Sequence, residues 1–307
     1  MAEQQQDTFD DRDGWIWFDG ELVPWRDARI HVLTHALHYA SSVFEGQRAY
    51  NGQIFKLREH TERLHKSARL LGFEIPWTSD EIDAACKEVL KANGFTDAYM
   101  RPVAWRGSES MGVAPGNTRP HLAIAAWKWG KYFGEELAKS GVRLDIAPWR
   151  RPAPYSAPTE SKAAGLYMIC TLSKQHAESR GYNDALMFDW RGRVAEATGA
   201  NVFFVGNGTL HTPVPDCFLD GITRRTVMDL ARKRGIEVQE RAIWPEELES
   251  FEQMFLTGTA AEVTPVRSCG PWKFEVGELT LQLQRDYDDL VMGRIPNAAR
   301  TPVTSDA

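Results

Sequence analysis

Two dipeptides, Asp19-Gly20 and Asn51-Gly52, each interrupt a run of apolar residues, and they constrain this chain more than any other feature. A two-residue hairpin turn needs positive φ at its central positions, which Asp, Asn and Gly tolerate. The first predicts a hairpin of Trp15 to Phe18 with Glu21 to Val23. The second pairs Ser42 to Tyr50 with Gln53 to Leu57. Helical patterns follow, so the chain is of mixed α/β class rather than all-β. Thr78 and Glu81 form a capping box, and Ile82, Ala85, Cys86, Val89 and Leu90 share one helical face that ends before Gly94. Strand-like runs then cover Ala98 to Trp105 and His121 to Trp129.

Gly134 to Gly141 is polar, helix-prone and bounded by glycine, and the domain junction is expected there. A strand at Val142 to Ala147 and a helix from about Gly165 to Arg180 come next. A β-rich block runs from Ala185 to Thr212 across the Arg191-Gly192 turn, and helices are expected at Thr223 to Arg234, Pro245 to Ser250 and Leu279 to Met292. The resulting division is a disordered tail (1–13), a small α/β domain (14–134), a linker (135–141), a larger domain (142–293) and a loose C-terminal tail (294–307). A chain of 307 residues can bury two such cores.

The net charge of −6, without any basic run, gives no support to a nucleic-acid partner. No apolar run approaches the roughly 20 residues that cross a bilayer. Met1 to Asp13 is polar and acidic, unlike a signal or transit peptide. The four cysteines match no metal-ligand spacing, so no metal is expected and a reducing cytoplasm is the simplest location.

The chemistry-bearing residues lie mostly in the second half. Lys162 stands in Ser161-Lys162-Ala163-Ala164-Gly165, where small neighbours leave space for a flat ring near the backbone. A lysine placed beside a cation, or desolvated, becomes a nucleophile; a solvated surface charge is the ordinary alternative. Glu196 follows a hairpin turn in Val194-Ala195-Glu196-Ala197, either as an edge charge or as the partner of a protonated ring nitrogen. Gly221-Ile222-Thr223 opens a helix whose free N–H groups suit a phosphate, although a plain threonine-capped helix reads the same way. Thr257-Gly258-Thr259-Ala260-Ala261 is a second small-residue turn, able to offer a hydroxyl to the phosphate and N–H groups to a carboxylate. Arg58 could balance the phosphate charge or pair with Glu59 or Glu62. Tyr99 and Arg101 share one strand face, and Arg101 needs either a substrate carboxylate or a structural one. Lysine, carboxylate and phosphate turns are together the parts that hold pyridoxal 5'-phosphate.

The ordered set His35 to Tyr39, Ser42 to Gly46, Arg58 to His60, Tyr99 to Pro102, Met111 to Val113, Lys162 to Tyr167, Glu196 to Asn201, Gly221 to Arg224 and Gly258 to Val266 resembles the class IV pyridoxal phosphate enzymes. Within them it is most similar to the branched-chain amino acid aminotransferases. The resemblance implies a small α/β domain, a larger pseudo-barrel domain and the cofactor in a cleft. It implies Lys162 as the Schiff-base lysine and proton shuttle, Glu196 at the ring nitrogen and Tyr167 at the phenolic oxygen. Arg58, Ile222, Thr223 and Thr259 would hold the phosphate. Tyr39, Phe44, Arg48, Tyr99, Arg101, Trp129, Tyr132, Ala260 and Ala261 would line the substrate pocket. The implied substrates are leucine, isoleucine or valine with glutamate and 2-oxo acids, and the implied assembly is a homodimer or larger homo-oligomer. Ala200 departs from several relatives, which carry a second acid there, and this touches cofactor tuning.

A D-amino acid or amine transaminase, or an aminodeoxychorismate lyase, would share every cofactor residue. Tyr99 with Arg101 and the Met111-Gly112-Val113 loop favour the branched-chain enzyme. A cofactor-free Schiff-base aldolase has no use for two phosphate turns, and a non-enzymatic binding protein predicts no visible chromophore.

Overall fold

The computed structural model describes residues 8–295 and 300–302. The chain forms two compact units, one of residues 1–129 with 299–307 and one of residues 130–298.

Both dipeptide turns behave as their chemistry requires. Asp19 and Gly20 have φ of 49° and 111°, and Asn51 and Gly52 of 49° and 72°, positive at every central position. In the first unit, β1 (Trp15–Phe18) pairs with β2 (Glu21–Pro24), and α1 (His35–Tyr39) follows. The expected strand from Ser42 to Tyr50 is divided into β3 (Ser42–Phe44) and β4 (Gln47–Tyr50). Both halves pair in one register with β6 (Ala98–Arg106), and Glu45 N–H donates to the Pro102 carbonyl between them. Proline has no N–H to return, so the ladder lapses there. β5 (Gln53–Phe55) stops short of the expected Leu57 because Lys56 turns left-handed, with φ 51°, into α2 (Leu57–Leu70).

The capping box closes α3 (Ser79–Ala92) as its sequence predicts, with Thr78 N–H donating to Glu81 and Glu81 N–H to the Thr78 hydroxyl. Its face of Ile82, Ala85, Cys86, Val89 and Leu90 packs with Leu57, Leu64 and Met100 in one core. Each large apolar side chain in it contributes roughly 1.5–3 kcal/mol of burial. β7 (Pro120–Trp127) joins β6 to β1, and a strand at Arg300–Pro302 pairs with β5. The region expected as a loose C-terminal tail therefore supplies an edge strand, because the free backbone groups of β5 accept one. The expected N-terminal tail is also ordered from Thr8. The Phe9 carbonyl accepts from the Trp25 indole at 2.6 Å, and Arg26 pairs with Asp11 and Asp13. Residues 1–7 of that tail lie outside the described residues, as do 296–299 and 303–307.

The expected linker 135–141 is mostly helix. α4 (Glu135–Ser140) belongs to the second unit, whose boundary is Gly130. β8 (Val142–Ile146) leads to a 3₁₀ turn at Ala164–Tyr167, then α5 (Met168–Ser179), β9 (Asp184–Phe188), β10 (Val194–Ala197), β11 (Asn201–Gly206) and β12 (Thr209–Pro213). α6 (Ile222–Lys233), β13 (Val238–Arg241), β14 (Gln253–Gly258), β15 (Glu262–Cys269), β16 (Trp272–Lys273) and α7 (Glu278–Val291) complete the unit. Its sheet runs β10-β9-β8-β15-β14-β11-β12-β13, with β16 on β15. β10, at one end of that order, also contacts β11 and β12 near the other, so the sheet curls toward a barrel. Among the described residues, no helix is long and apolar enough to cross a membrane.

Candidate active site

Lys162 lies between buried Ser161 and Ala163, just ahead of the 3₁₀ turn that starts α5. That tight turn folds Tyr167 back beneath the amine. Lys162 Nζ donates to the Tyr167 hydroxyl at 2.8 Å and stands 5.2 Å from the ring centre. The amine is thus held against a phenol five residues along the chain.

Glu196 lies on β10, where pairing with β9 shifts register between Val194 and Glu196. Such a bulge re-aims side chains. The carboxylate is 9% exposed and has a partner at each oxygen. Asn201 Nδ2 donates to Oε2 at 3.2 Å, and Arg151 Nε stands 3.4 Å from Oε1. Burial pushes its carboxyl up to about 7, against the pull of Arg151 and Lys162. Asn201 also donates to the Leu219 carbonyl at 3.0 Å, tying Glu196 to the loop before α6. Gly221 makes this possible, since a Cβ there would stand 2.2 Å from Asn201 Oδ1.

α6 begins at Ile222 with Gly221 as its N-cap, so no side chain caps its first N–H groups. Ile222 and Thr223 are buried at that end, and its first turn carries no acid. The β14–β15 hairpin closes through Thr259-Ala260-Ala261, with Glu262 left-handed at φ 54°. Gly258 lies against Gly199 and Ala200, and Asn201 pairs with Thr257 across the two strands. The carboxylate, the helix start and the second turn are therefore at one end of the sheet. Ala200, where an acid would stand in several relatives, is buried in the apolar core instead.

These residues fit pyridoxal 5'-phosphate. An uncapped helix N-terminus suits a phosphate dianion. The buried Thr257 hydroxyl, at the start of the second turn, has no hydrogen-bond partner among the described residues. A buried carboxylate flanked by Ala197, Gly199 and Ala200 suits a flat ring with a protonated nitrogen.

Arg58 forms ion pairs within the first unit. Its Nε is 2.8 Å from Asp83 and an NH2 nitrogen 2.5 Å from Asp80, both on α3, so its charge is compensated within the first unit. The sequence pointed to Glu59 or Glu62 as its ordinary partners; α2–α3 packing brings two aspartates instead, while Glu59 pairs with Lys56 at 3.0 Å.

Several of the other first-unit candidates pack together. Arg101 lies over the rings of Phe44, at 4.7 Å, and Tyr99, at 5.3 Å, and donates to the Tyr99 hydroxyl at 3.2 Å. Gly46 leaves room for that hydroxyl, which would be 2.1 Å from a Cβ at 46. Trp129 packs on Tyr99, and Arg48 lies over Tyr50. Tyr39, at the end of α1, packs on His35. In the second unit the Tyr132 ring packs against Phe133 at 4.6 Å, and the Lys174 ammonium lies 5.1 Å from the Tyr132 ring and 5.4 Å from that of Phe133. Sequence reasoning gave no role to Arg151 or to Asn201 by itself, while Thr257 was read only as part of the second turn. Asn201 stands inside the Glu196 motif, but nothing marks Arg151 beyond its buried environment.

Comparison with known proteins bears on the family of this chain. Residues 42–269 match the model of the amino-transferase class IV family. The chain is 42% identical over 291 residues to a branched-chain-amino-acid aminotransferase of Pseudomonas aeruginosa, covering 92% of this chain and 95% of that one. It is 39% identical to a T.th. branched-chain amino acid aminotransferase solved with pyridoxamine 5'-phosphate, with a TM-score of 0.92 over 95% of this chain and 99% of that one. The same enzyme complexed with N-(5'-phosphopyridoxyl)-L-glutamate gives 38% identity and a TM-score of 0.91, again over 95% and 99%. With a family match over most of its length and these relatives along nearly all of it, the chain belongs to the class IV aminotransferases.

Proposed function

We propose that this chain moves the amino group between L-branched-chain amino acids (leucine, isoleucine, valine) and 2-oxoglutarate, with pyridoxal 5'-phosphate as cofactor. Arg101 carries the reading. Its guanidinium is sheathed by Phe44 and Tyr99, its Nε has no hydrogen-bond partner, and no carboxylate of the described residues lies within ion-pair distance of it. An aromatic wall accepts leucine, and a cation without a carboxylate suits the second acid group of glutamate.

Pyridoxal phosphate, when bound, supplies the electron sink for the reaction. Lys162 Nζ takes the proton from the substrate Cα and returns it, with the Tyr167 hydroxyl fixing the amine's position. Glu196 holds a proton at the ring nitrogen. Ile222, Thr223 and Thr259 hold the phosphate, and Ala260 and Ala261 offer N–H groups to the α-carboxylate.

A screen of amino donors with 2-oxoglutarate tests the activity. Leucine, isoleucine and valine should lead; a preference for D-amino acids, simple amines or aminodeoxychorismate would assign another class IV reaction. Borohydride reduction of the yellow protein and peptide mapping should place the adduct on Lys162. An adduct on another lysine ends that assignment, and Lys162→Ala should lose nearly all turnover.

Assembly with a second copy is supported by an exposed apolar stretch. Ile30, Val32, Leu33, Leu37 and Tyr39 are at least 42% exposed, and His35 ties this stretch to Gly112 between exposed Met111 and Val113. Light scattering should give a dimer or a larger species; a stable monomer at micromolar concentration would refute this. Four buried free cysteines fit a reducing cytoplasm.

A further inference from the structure

We propose that Arg151 is a positioning residue for the reaction, acting through Glu196 by holding its carboxylate ionised and oriented where the cofactor ring nitrogen binds. This role rests on the cofactor site proposed above.

Arg151 is 4% exposed, and a buried guanidinium without an anion costs several kcal/mol. Among the described residues, the carboxylate within ion-pair distance of it is Glu196, at 3.4 Å. Its NH1 nitrogen faces Cys170 Sγ at 3.5 Å, but burial pushes that thiol up to about 11, so the thiol is neutral and offers no counter-charge. The arginine backbone is fixed in turn. Its N–H donates to the Phe188 carbonyl at 2.8 Å, and it bridges to Asp189 just beyond β9.

The contact has an unusual form. Arg151 Nε has no hydrogen-bond partner even though Glu196 Oε1 is near, so the two charges attract without a closed bidentate fork. Asn201 occupies Oε2. Oε1 therefore keeps a lone pair for an outside donor while the nearby cation offsets the penalty of burial. The groups facing Glu196 are Arg151 from the segment after β8, Lys162 from the segment before α5 and the neutral Asn201 amide from β11. Lys162 is committed to other chemistry, which leaves Arg151 as the permanent counter-charge.

A double-mutant cycle on apoprotein, read as the Kd for pyridoxal 5'-phosphate by tryptophan fluorescence, tests this. Arg151→Met should weaken binding about tenfold. On a Glu196→Gln background the same substitution should change Kd less than about twofold, because the group it acts through is already neutral. Equal losses in both backgrounds, or none in either, overturn the proposal and make Arg151 a packing residue. If Arg151→Met does not fold, Arg151→Lys carries the test, since it retains the charge with a shorter reach. It should lose about threefold beside Glu196 and nothing beside Gln; equal losses again overturn the proposal. Failure of the unaltered protein to bind the cofactor would sink the functional reading, whereas binding that ignores Arg151 sinks this inference alone.

Discussion

Glu196 is a carboxylate that burial works against, and its titration gives a measurable signature. Its folded-state value is raised from 4.5 to about 7. In the apoprotein its stabilising contribution is therefore complete below its unfolded value and lost as pH rises through about 7. The shift corresponds to roughly 3 kcal/mol. Denaturant titration of apoprotein should show the unaltered chain losing stability relative to Glu196→Gln between about pH 5 and 8. A difference that stays flat over that range would mean the carboxylate is not desolvated. In the holoenzyme the same substitution should lower kcat about a hundredfold or more while the phosphate stays anchored. Near-normal turnover would show that another group sets the ring's charge. Lys162 stood out by its small neighbours, whereas Tyr167 came only with the family resemblance, and its contact with Lys162 is made by one tight turn. Arg151 was not legible, because its approach to Glu196 depends on how β8, β9 and β10 lie side by side.

At the scale of elements, α6 and its preceding loop work only if Asn201 can reach across them. Gly221 has an ordinary φ of −65°, so Gly221→Ala carries no backbone strain, but its methyl would collide with Asn201 Oδ1. The amide must leave either Glu196 or the Leu219 carbonyl. Cofactor Kd should rise about tenfold with little change in Tm; an unchanged Kd would show that the loop can shift without consequence. In the first unit, Glu45 sits with no exposure where β3 gives way to β4, bound by His60 at 2.7 Å and by Nε and one terminal nitrogen of Arg63. Burial alone would raise its carboxyl, but Arg63 and His60 hold it well below the usual range. A depressed acid stabilises above its unfolded value and loses that contribution as pH falls toward the folded one. Glu45→Gln should cost about 3 kcal/mol, seen as a lower Tm at neutral pH and a weaker acid dependence; an unchanged Tm would show Arg63 repairing itself with water. The capping box, both hairpin turns and the apolar face of α3 were readable because each is a local rule. The break between β3 and β4 was not, since its cause is a proline on the neighbouring strand.

At the scale of the whole molecule, the two units differ in how much of them the sequence disclosed. Gly134 to Gly141 was read both as helix-prone and as the junction between domains, and α4 is that helix. Its packing on β15, which composition does not disclose, puts it inside the second unit. The reaction itself imposes the remaining constraint on the molecule. A full catalytic cycle must admit an apolar side chain in one half and a carboxylate side chain in the other. Arg101, seated between Phe44 and Tyr99, answers both demands if its charge is needed only for the second. Arg101→Leu should then reduce kcat/KM for glutamate and 2-oxoglutarate by about 10- to 150-fold, the worth of one charged hydrogen bond of roughly 1.5–3 kcal/mol. Leucine and isoleucine should change far less, because Leu restores the apolar contact with Phe44. Half-reactions followed separately at the cofactor absorbance would isolate each substrate class. If both classes fall together, Arg101 is holding Tyr99 and Phe44 in place, and the pocket must meet the second carboxylate with some other group.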